Sequence, residues 1–207
     1  MTVETIDTGV STEDQARAGW YALLARLLAD GPDEKLLQAI AGADDLIGAD
    51  DDAPLALAWN KLQQAAAALP AEAAQEEHQT LFVGVGASEV SPYASHYVQY
   101  VDGTQFLAAL RGELIKLGLA AHHGSSQAED HIAAVLDAMR FLAAGDADTA
   151  PADVALQGSF FIHFVASWQR QFFEAVEASK TANFYKRVAQ FALVFFAAET
   201  ESFALGT

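Results

Sequence analysis

The apolar residues of this chain recur with the 3.6-residue period of an α-helix, and no long stretch alternates apolar and polar residues as a half-buried strand would. The clearest stripes are Trp20, Leu23, Leu24, Leu27 and Leu28 near the N-terminus, and Phe184, Val188, Phe191 and Phe195 near the C-terminus. Helices that each carry one apolar stripe bury it by packing against one another. We therefore predict an all-α fold, a single helical bundle of about eight to nine helices with almost no β-strand.

The length and composition suit one sizeable domain. The chain has 207 residues, 52% of them hydrophobic, with 13 Phe and 3 Trp to build a core. We predict a flexible N-terminus over residues 1–10 and a single all-helical domain over residues 11–207. The N-terminus lacks the pattern of a secretion signal, and the densest apolar stretch, residues 191–198, is shorter than the ~20 residues that a membrane span needs. The expectation is a soluble cytoplasmic protein without stable membrane insertion.

The charge balance limits the possible partners. There are 28 acidic and 11 basic residues, a net formal charge of −17. Nucleic acid is a poor partner for such a chain and is not predicted, because phosphate binding needs clustered Lys and Arg. A cationic peptide is compatible with this charge, since electrostatic steering would speed its encounter with the protein, although solubility alone explains an acidic surface equally well.

A glycine-containing loop interrupts the helical pattern over residues 81–97. Gly84 and Gly86 allow positive φ angles, and Pro92 disfavours a helical conformation at the residue before it. Tyr93 and Tyr97 can stand partly exposed at the edge of this loop. A plain connection between helices needs only about 2 to 8 residues, so this longer segment predicts a recognition site.

A second segment with candidate ligand-binding side chains lies at the start of a later helix, at residues 127–132. Ser126 and Glu129 match the Ser-x-x-Glu capping box, which predicts His131 in the first turns of that helix and Asp130 near its positive end. A carboxylate and an imidazole at that place can bind a basic or hydrogen-bonding ligand. The alternative is structural, with Asp130 as a simple cap and His131 on the surface.

Two long helices are predicted after residues 145–151, with Asn183 as the cap between them.

Together the two segments resemble the TorD/DmsD branch of the NarJ-like chaperones for molybdenum oxidoreductases. The first match is the acidic, Leu-Phe, Gly and Pro-aromatic-x-Ser-x-Tyr pattern of Glu77, Leu81, Phe82, Gly84, Pro92, Tyr93, Ser95 and Tyr97. The second is the Glu-Asp-His run of residues 129–131, preceded by Leu-Gly-Leu at residues 117–119. Ala128 stands where family members often carry proline. The likeness covers roughly residues 11 to 200.

The resemblance implies a cytoplasmic, non-enzymatic chaperone without a cofactor. Its partners would be the twin-arginine signal peptide and the apo form of a molybdopterin-containing oxidoreductase, which it would hold for cofactor insertion before export. By resemblance, the peptide-binding residues are His78, Leu81, Phe82, Pro92, Tyr93, Ser95, Tyr97, Glu129, Asp130 and His131. Leu81 and Phe82 are expected mainly in the core beneath the loop. The protein is expected as a monomer or a helix-swapped homodimer.

Two alternatives stand beside this hypothesis. One is a helical metal protein or enzyme built around His122, His123, Asp130 and His131 with Glu129. Adjacent histidines project in different directions, however, and the Glu-x-x-His of di-iron bundles is missing, so no metal is predicted. The absence of cysteine and of phosphate-loop and nucleophile-elbow motifs likewise argues against an enzyme. The other alternative is a purely structural interaction module that would bind partners without using these two segments.

Overall fold

A computed structural model of the chain describes residues 11–46, 53–84, 88–98, 103–119 and 128–205. These residues form nine α-helices: α1 Thr12–Ala29, α2 Glu34–Ala41, α3 Pro54–Ala68, α4 Ala71–His78, α5 Gly103–Lys116, α6 Ile132–Ala144, α7 Val154–Phe160, α8 Gln169–Ala178 and α9 Phe184–Leu205. Two π-helical segments, Gln79–Val83 and Phe161–Ala166, and one 3₁₀ turn, Ala94–His96, complete the helical structure of these ranges. The described residues contain no β-strand, which confirms the all-α prediction.

The core is organised around α1 and α9. Helix α1 packs along α6, and α9 packs against α3 and α8. On α1, Leu24 and Leu27 of the predicted stripe are completely buried, Trp20 and Leu23 are only partly buried, and Tyr21, outside the stripe, is completely buried. Phe191 and Phe196 of α9 are also completely buried. The bundle is thus closed by the two stripes that the sequence shows most clearly.

One of the two predicted final helices is divided. Helix α7 passes into the π-helical segment Phe161–Ala166, and α8 begins only at Gln169. Trp168 lies at the break with a φ of −149°. Its completely buried ring donates an Nε1 hydrogen bond of 2.7 Å to the carbonyl of Phe164. The apolar period continues through the break, so periodicity alone could not reveal the change of helix type.

Within the described residues, α9 is the helix that is long and apolar enough to cross a membrane by length and composition. It lies in the middle of the bundle, where Phe184, Phe195 and Phe203 join its other phenylalanines in the core. Packing of the core therefore explains its apolar character.

The start of α9 is capped from a distant part of the chain. The sequence predicts Asn183 as the cap, but the side chain that accepts the first hydrogen bonds is Glu77 of α4. Its carboxylate accepts the backbone N–H groups of Asn183, Phe184 and Tyr185 at 2.8, 3.1 and 2.8 Å. Glu77 is only 9% exposed. An anion at a helix N-terminus satisfies unpaired donors and opposes the helix dipole, so Glu77 ties the end of α4 to α9.

Replacing Glu77 with glutamine is therefore expected to lower the free energy of unfolding by about 2 kcal/mol, because a neutral amide weakens charge-assisted bonds and turns a donor toward backbone donors. Urea denaturation of the two proteins measures the difference. The matched control is Glu76→Gln, since Glu76 is the exposed neighbour on the same helix. Equal stability losses in the two variants would contradict a capping role for Glu77.

Candidate functional site

A cleft with a volume of about 700 Å³ lies where α1 ends and α4 passes into the Gly84 loop. Its walls are residues 28–30, the helical residues His78, Gln79, Phe82 and Val83, the loop residues Ser88, Ser91, Pro92, Tyr93 and His96, and His131. Clefts of this size are typical of ligand sites. Among the residues predicted for peptide binding, His78, Phe82, Pro92, Tyr93 and His131 line it.

The two segments singled out in the sequence are paired directly by their backbones. Tyr93 and His131 form an isolated antiparallel bridge. On either side of it, Ala94 donates to the carbonyl of Asp130 at 2.9 Å, and Ile132 donates to the carbonyl of Pro92 at 2.8 Å. The rings of Tyr93 and His131 meet edge to face with centroids 5.2 Å apart. The Pro92 turn and the start of α6 therefore form one wall of the cleft.

Asp130 lies beside this wall, and its side chain has a structural role there. It is 2% exposed, and its carboxylate accepts the backbone N–H of Ser95 at 3.0 Å. That bond holds the 3₁₀ turn Ala94–His96 against the start of α6. Asp130 is absent from the lining of the cleft, so this geometry favours a role in shaping the loop over direct contact with a ligand.

The predicted capping box is wrong, because α6 begins at Ile132 and its N-cap is His131 itself. Nδ1 of His131 accepts the N–H of Ala133 at 3.2 Å, which leaves the proton of the neutral ring on Nε2. Glu129 instead forms an exposed ion pair with Arg111, with contacts of 2.9 and 3.0 Å. Ser126 lies outside the described residues.

His131 is a buried imidazole, only 4% exposed. Burial, reinforced by the nearby His78, lowers the pKa of His131 to about 4, and the opposing effects of Asp130 and Asp30 are smaller. At neutral pH its ring is therefore uncharged. The surface reading of His131 is wrong.

His78 is the second buried imidazole of the cleft, with 2% exposure. Its Nε2 lies 3.3 Å from the carbonyl of Leu28 and must donate to it, while no described group bonds to the buried Nδ1. Burial lowers the pKa of His78, against smaller raising effects of the Leu28 bond and Asp30. Gly31, at a φ of +74°, makes this packing possible, because a Cβ there would come within 3.1 Å of the His78 side chain.

The remaining predicted residues are Phe82, a buried residue of the cleft lining, and residues outside that lining. Leu81 is completely buried, which confirms its core interpretation, and Phe82 is 5% exposed with its ring edge-on to Tyr185. Tyr97 stacks on Trp168 at a centroid distance of 5.9 Å and donates to the carbonyl of Ser91 at 2.8 Å. Burial raises the pKa of Tyr97 to about 12. Like Glu129 and Asp130, neither Leu81, Ser95 nor Tyr97 lines the cleft.

Sequence reasoning missed several lining residues. The π-helical segment Gln79–Val83 leaves Val83 53% exposed at the cleft, at a position that the sequence analysis assigned to the loop of residues 81–97. Asp30 was not predicted as a site residue, because the Asp-Gly-Pro sequence at the end of α1 indicates only that the helix ends there. Gly84 does adopt the predicted positive φ, of 66°, and Gly86 lies outside the described residues.

The metal alternative depends in part on residues outside the described ranges. His122 and His123 lie outside the described ranges, and within those ranges no three His, Cys, Asp or Glu side chains converge to hold a metal ion. The metal alternative is thus left to metal analysis of the purified protein, for which no bound metal is predicted.

Comparison with known proteins identifies a protein family that the chain matches. The family model described as nitrate reductase delta subunit matches residues 49–174, more than half of the chain. The matched range includes both the Gly84 loop and the start of α6, and so all ten residues predicted for peptide binding. No curated protein matches the chain.

Proposed function

The chain belongs to the nitrate reductase delta subunit family, within the TorD/NarJ superfamily of chaperones for molybdoenzyme maturation, and we propose that its cleft binds the twin-arginine signal peptide of an apo molybdoenzyme. The family acts with a molybdoenzyme catalytic subunit. In this proposal the protein holds the apo subunit in the cytoplasm until its cofactor is inserted, and catalyses no reaction itself. Export of the client would follow release of the peptide.

The observation that carries this proposal is the composition of the cleft. Phe82, Val83, Pro92 and Tyr93 supply an apolar and aromatic wall, and neither Lys nor Arg is among the lining residues. A twin-arginine signal peptide has a basic start followed by an apolar middle. A cleft with one apolar wall and a carboxylate, Asp30, in its described lining matches both parts, because burial of the apolar segment supplies affinity and the negative charge attracts the basic one.

Exposed valine in the cleft offers a direct test. Val83→Ser should weaken binding of a synthetic twin-arginine signal peptide by roughly five- to tenfold, because it removes about 1 to 1.5 kcal/mol of apolar burial. Isothermal titration calorimetry measures the dissociation constants. Val83 is 53% exposed in the free protein, so the substitution should leave the fold intact.

The matched control is Val154→Ser, since Val154 is 54% exposed and lies on α7, away from the cleft. Binding that is equal in both variants and the wild type would place the peptide elsewhere, as the structural-module alternative predicts. Failure of the wild-type protein to bind any twin-arginine peptide would refute the proposed function itself.

A further inference from the structure

Asp30 is the one residue among the cleft's described lining that carries a carboxylate, and the side chain is exposed. It is the C-cap of α1, directly after the last helical residue. All 11 Lys and Arg residues of the chain lie within the described ranges, and none of their ion pairs involves Asp30. Arg26, the basic residue in the last turn of α1, is paired with Asp33 at 3.1 Å.

The position of Asp30 is unfavourable for the free protein. The C-terminus of an 18-residue helix carries a partial negative charge, so a carboxylate at the cap is repelled by it. Residues 28–30 also belong to the cleft wall, which places this negative helix end and the carboxylate on the same surface. A cation in the cleft would be attracted by both.

The two imidazoles of the cleft do not neutralise the Asp30 carboxylate, which therefore stays available to a cation. Asp30, His78 and His131 all line the cleft, and the charge of Asp30 opposes, to a smaller extent, the lowering of the pKa of both imidazoles by burial. Because burial lowers the pKa of both rings, they are neutral at pH 7 and neither neutralise the carboxylate nor repel an incoming cation. Both imidazoles and Tyr93 line the cleft together with residues 28–30.

We propose that Asp30, together with the C-terminal end of α1, is the site that binds an arginine guanidinium of the client peptide. This inference rests on the proposed function and assigns the charged contact to Asp30, in place of the buried Asp130. The apolar part of the peptide then lies along Val83 and Tyr93, which line the same cleft. A guanidinium can form paired hydrogen bonds with a carboxylate, a geometry that lysine cannot reproduce.

A double-mutant cycle tests the assignment. The protein variants are Asp30→Asn and, as a control with the same change of net charge, Glu34→Gln, an exposed residue four positions further along the chain. The probes are a synthetic twin-arginine signal peptide and the same peptide with citrulline, which is uncharged and nearly isosteric, at both arginines. We expect Asp30→Asn to weaken binding of the arginine peptide about fivefold, and Glu34→Gln to change it little.

With the citrulline peptide, Asp30→Asn and wild type should bind equally. Melting temperature is a second readout, and it should stay the same or rise in Asp30→Asn because a repulsive charge is removed from the end of α1. If the wild type binds the peptide but Asp30→Asn and Glu34→Gln do not differ, this inference is wrong and the proposed function stands. An equal loss for both peptides would also overturn it, since Asp30 would then act through the shape of the cleft. No binding to the wild type would refute the proposed function and with it this assignment.

Discussion

Replacing Glu199 with alanine is expected to lower the free energy of unfolding by about 3 to 5 kcal/mol, which is the typical result of breaking a buried ion pair. Glu199 of α9 is 4% exposed and meets Arg17 of α1 through two hydrogen bonds of 2.7 and 2.9 Å. The hydroxyl of Tyr21 donates to the same carboxylate at 2.6 Å. Loss of Glu199 would leave a partly buried guanidinium and a completely buried hydroxyl without their main acceptor.

The surroundings of Arg17 cannot replace that acceptor. Burial alone would lower the pKa of Arg17, and the hydrogen bond and charge of Glu199 outweigh it and raise the pKa. The remaining partners are Asp14 at 2.9 Å and the side-chain oxygen of Gln157 at 3.1 Å. They contact Nη1, whereas Glu199 serves Nε and Nη2.

Chemical denaturation of Glu199→Ala and of Glu201→Ala, an exposed residue on the same helix, provides the comparison. The double variant Arg17→Met/Glu199→Leu should recover part of the loss, since it removes both charges and keeps the apolar volume. A Glu199→Ala protein as stable as Glu201→Ala would show that the network contributes little to holding α1 against α9.

The sequence was sufficient for the fold because the fold depends on local periodicity. Stripes such as that of Leu24 and Leu27 appear in any short window and indicate the side of the helix that faces the core, although Trp20 and Leu23 of the same stripe are only partly buried. The Gly84 loop and the Pro92 turn were also local signals, since glycine and proline restrict their own backbones. The family motif includes Tyr93 and His131, which form one wall of the cleft.

What the sequence could not predict depends on contacts between distant residues. The partner of Glu77 lies more than a hundred positions away, and Arg17 and Glu199 are 182 residues apart. Asp130 and Asp30 illustrate the consequence for function. Asp130 looked like the ligand-binding acid by motif but points its carboxylate at Ser95, whereas Asp30 looked like a loop residue and lies on the cleft.

Acidification should destabilise the protein through the same cleft. The unfolded chain binds a proton at His131 near pH 6.5, whereas the folded protein keeps this ring neutral down to about pH 4. Between those values the unfolded state holds more protons, so the free energy of unfolding falls as the pH falls. The integrated loss for His131 is about 2 to 3 kcal/mol, and the lowered pKa of His78 adds to it in the same direction.

The substitution His131→Asn isolates this contribution, because asparagine is a good N-cap and can still accept the Ala133 N–H, but does not titrate. Urea midpoints measured from pH 7 to pH 4 should decline less steeply in His131→Asn than in the wild type. His163→Asn is the control, since His163 is exposed on the second π-helical segment. Parallel declines in all three proteins would mean that carboxylates elsewhere govern acid stability and that the neutral imidazole at the start of α6 does not.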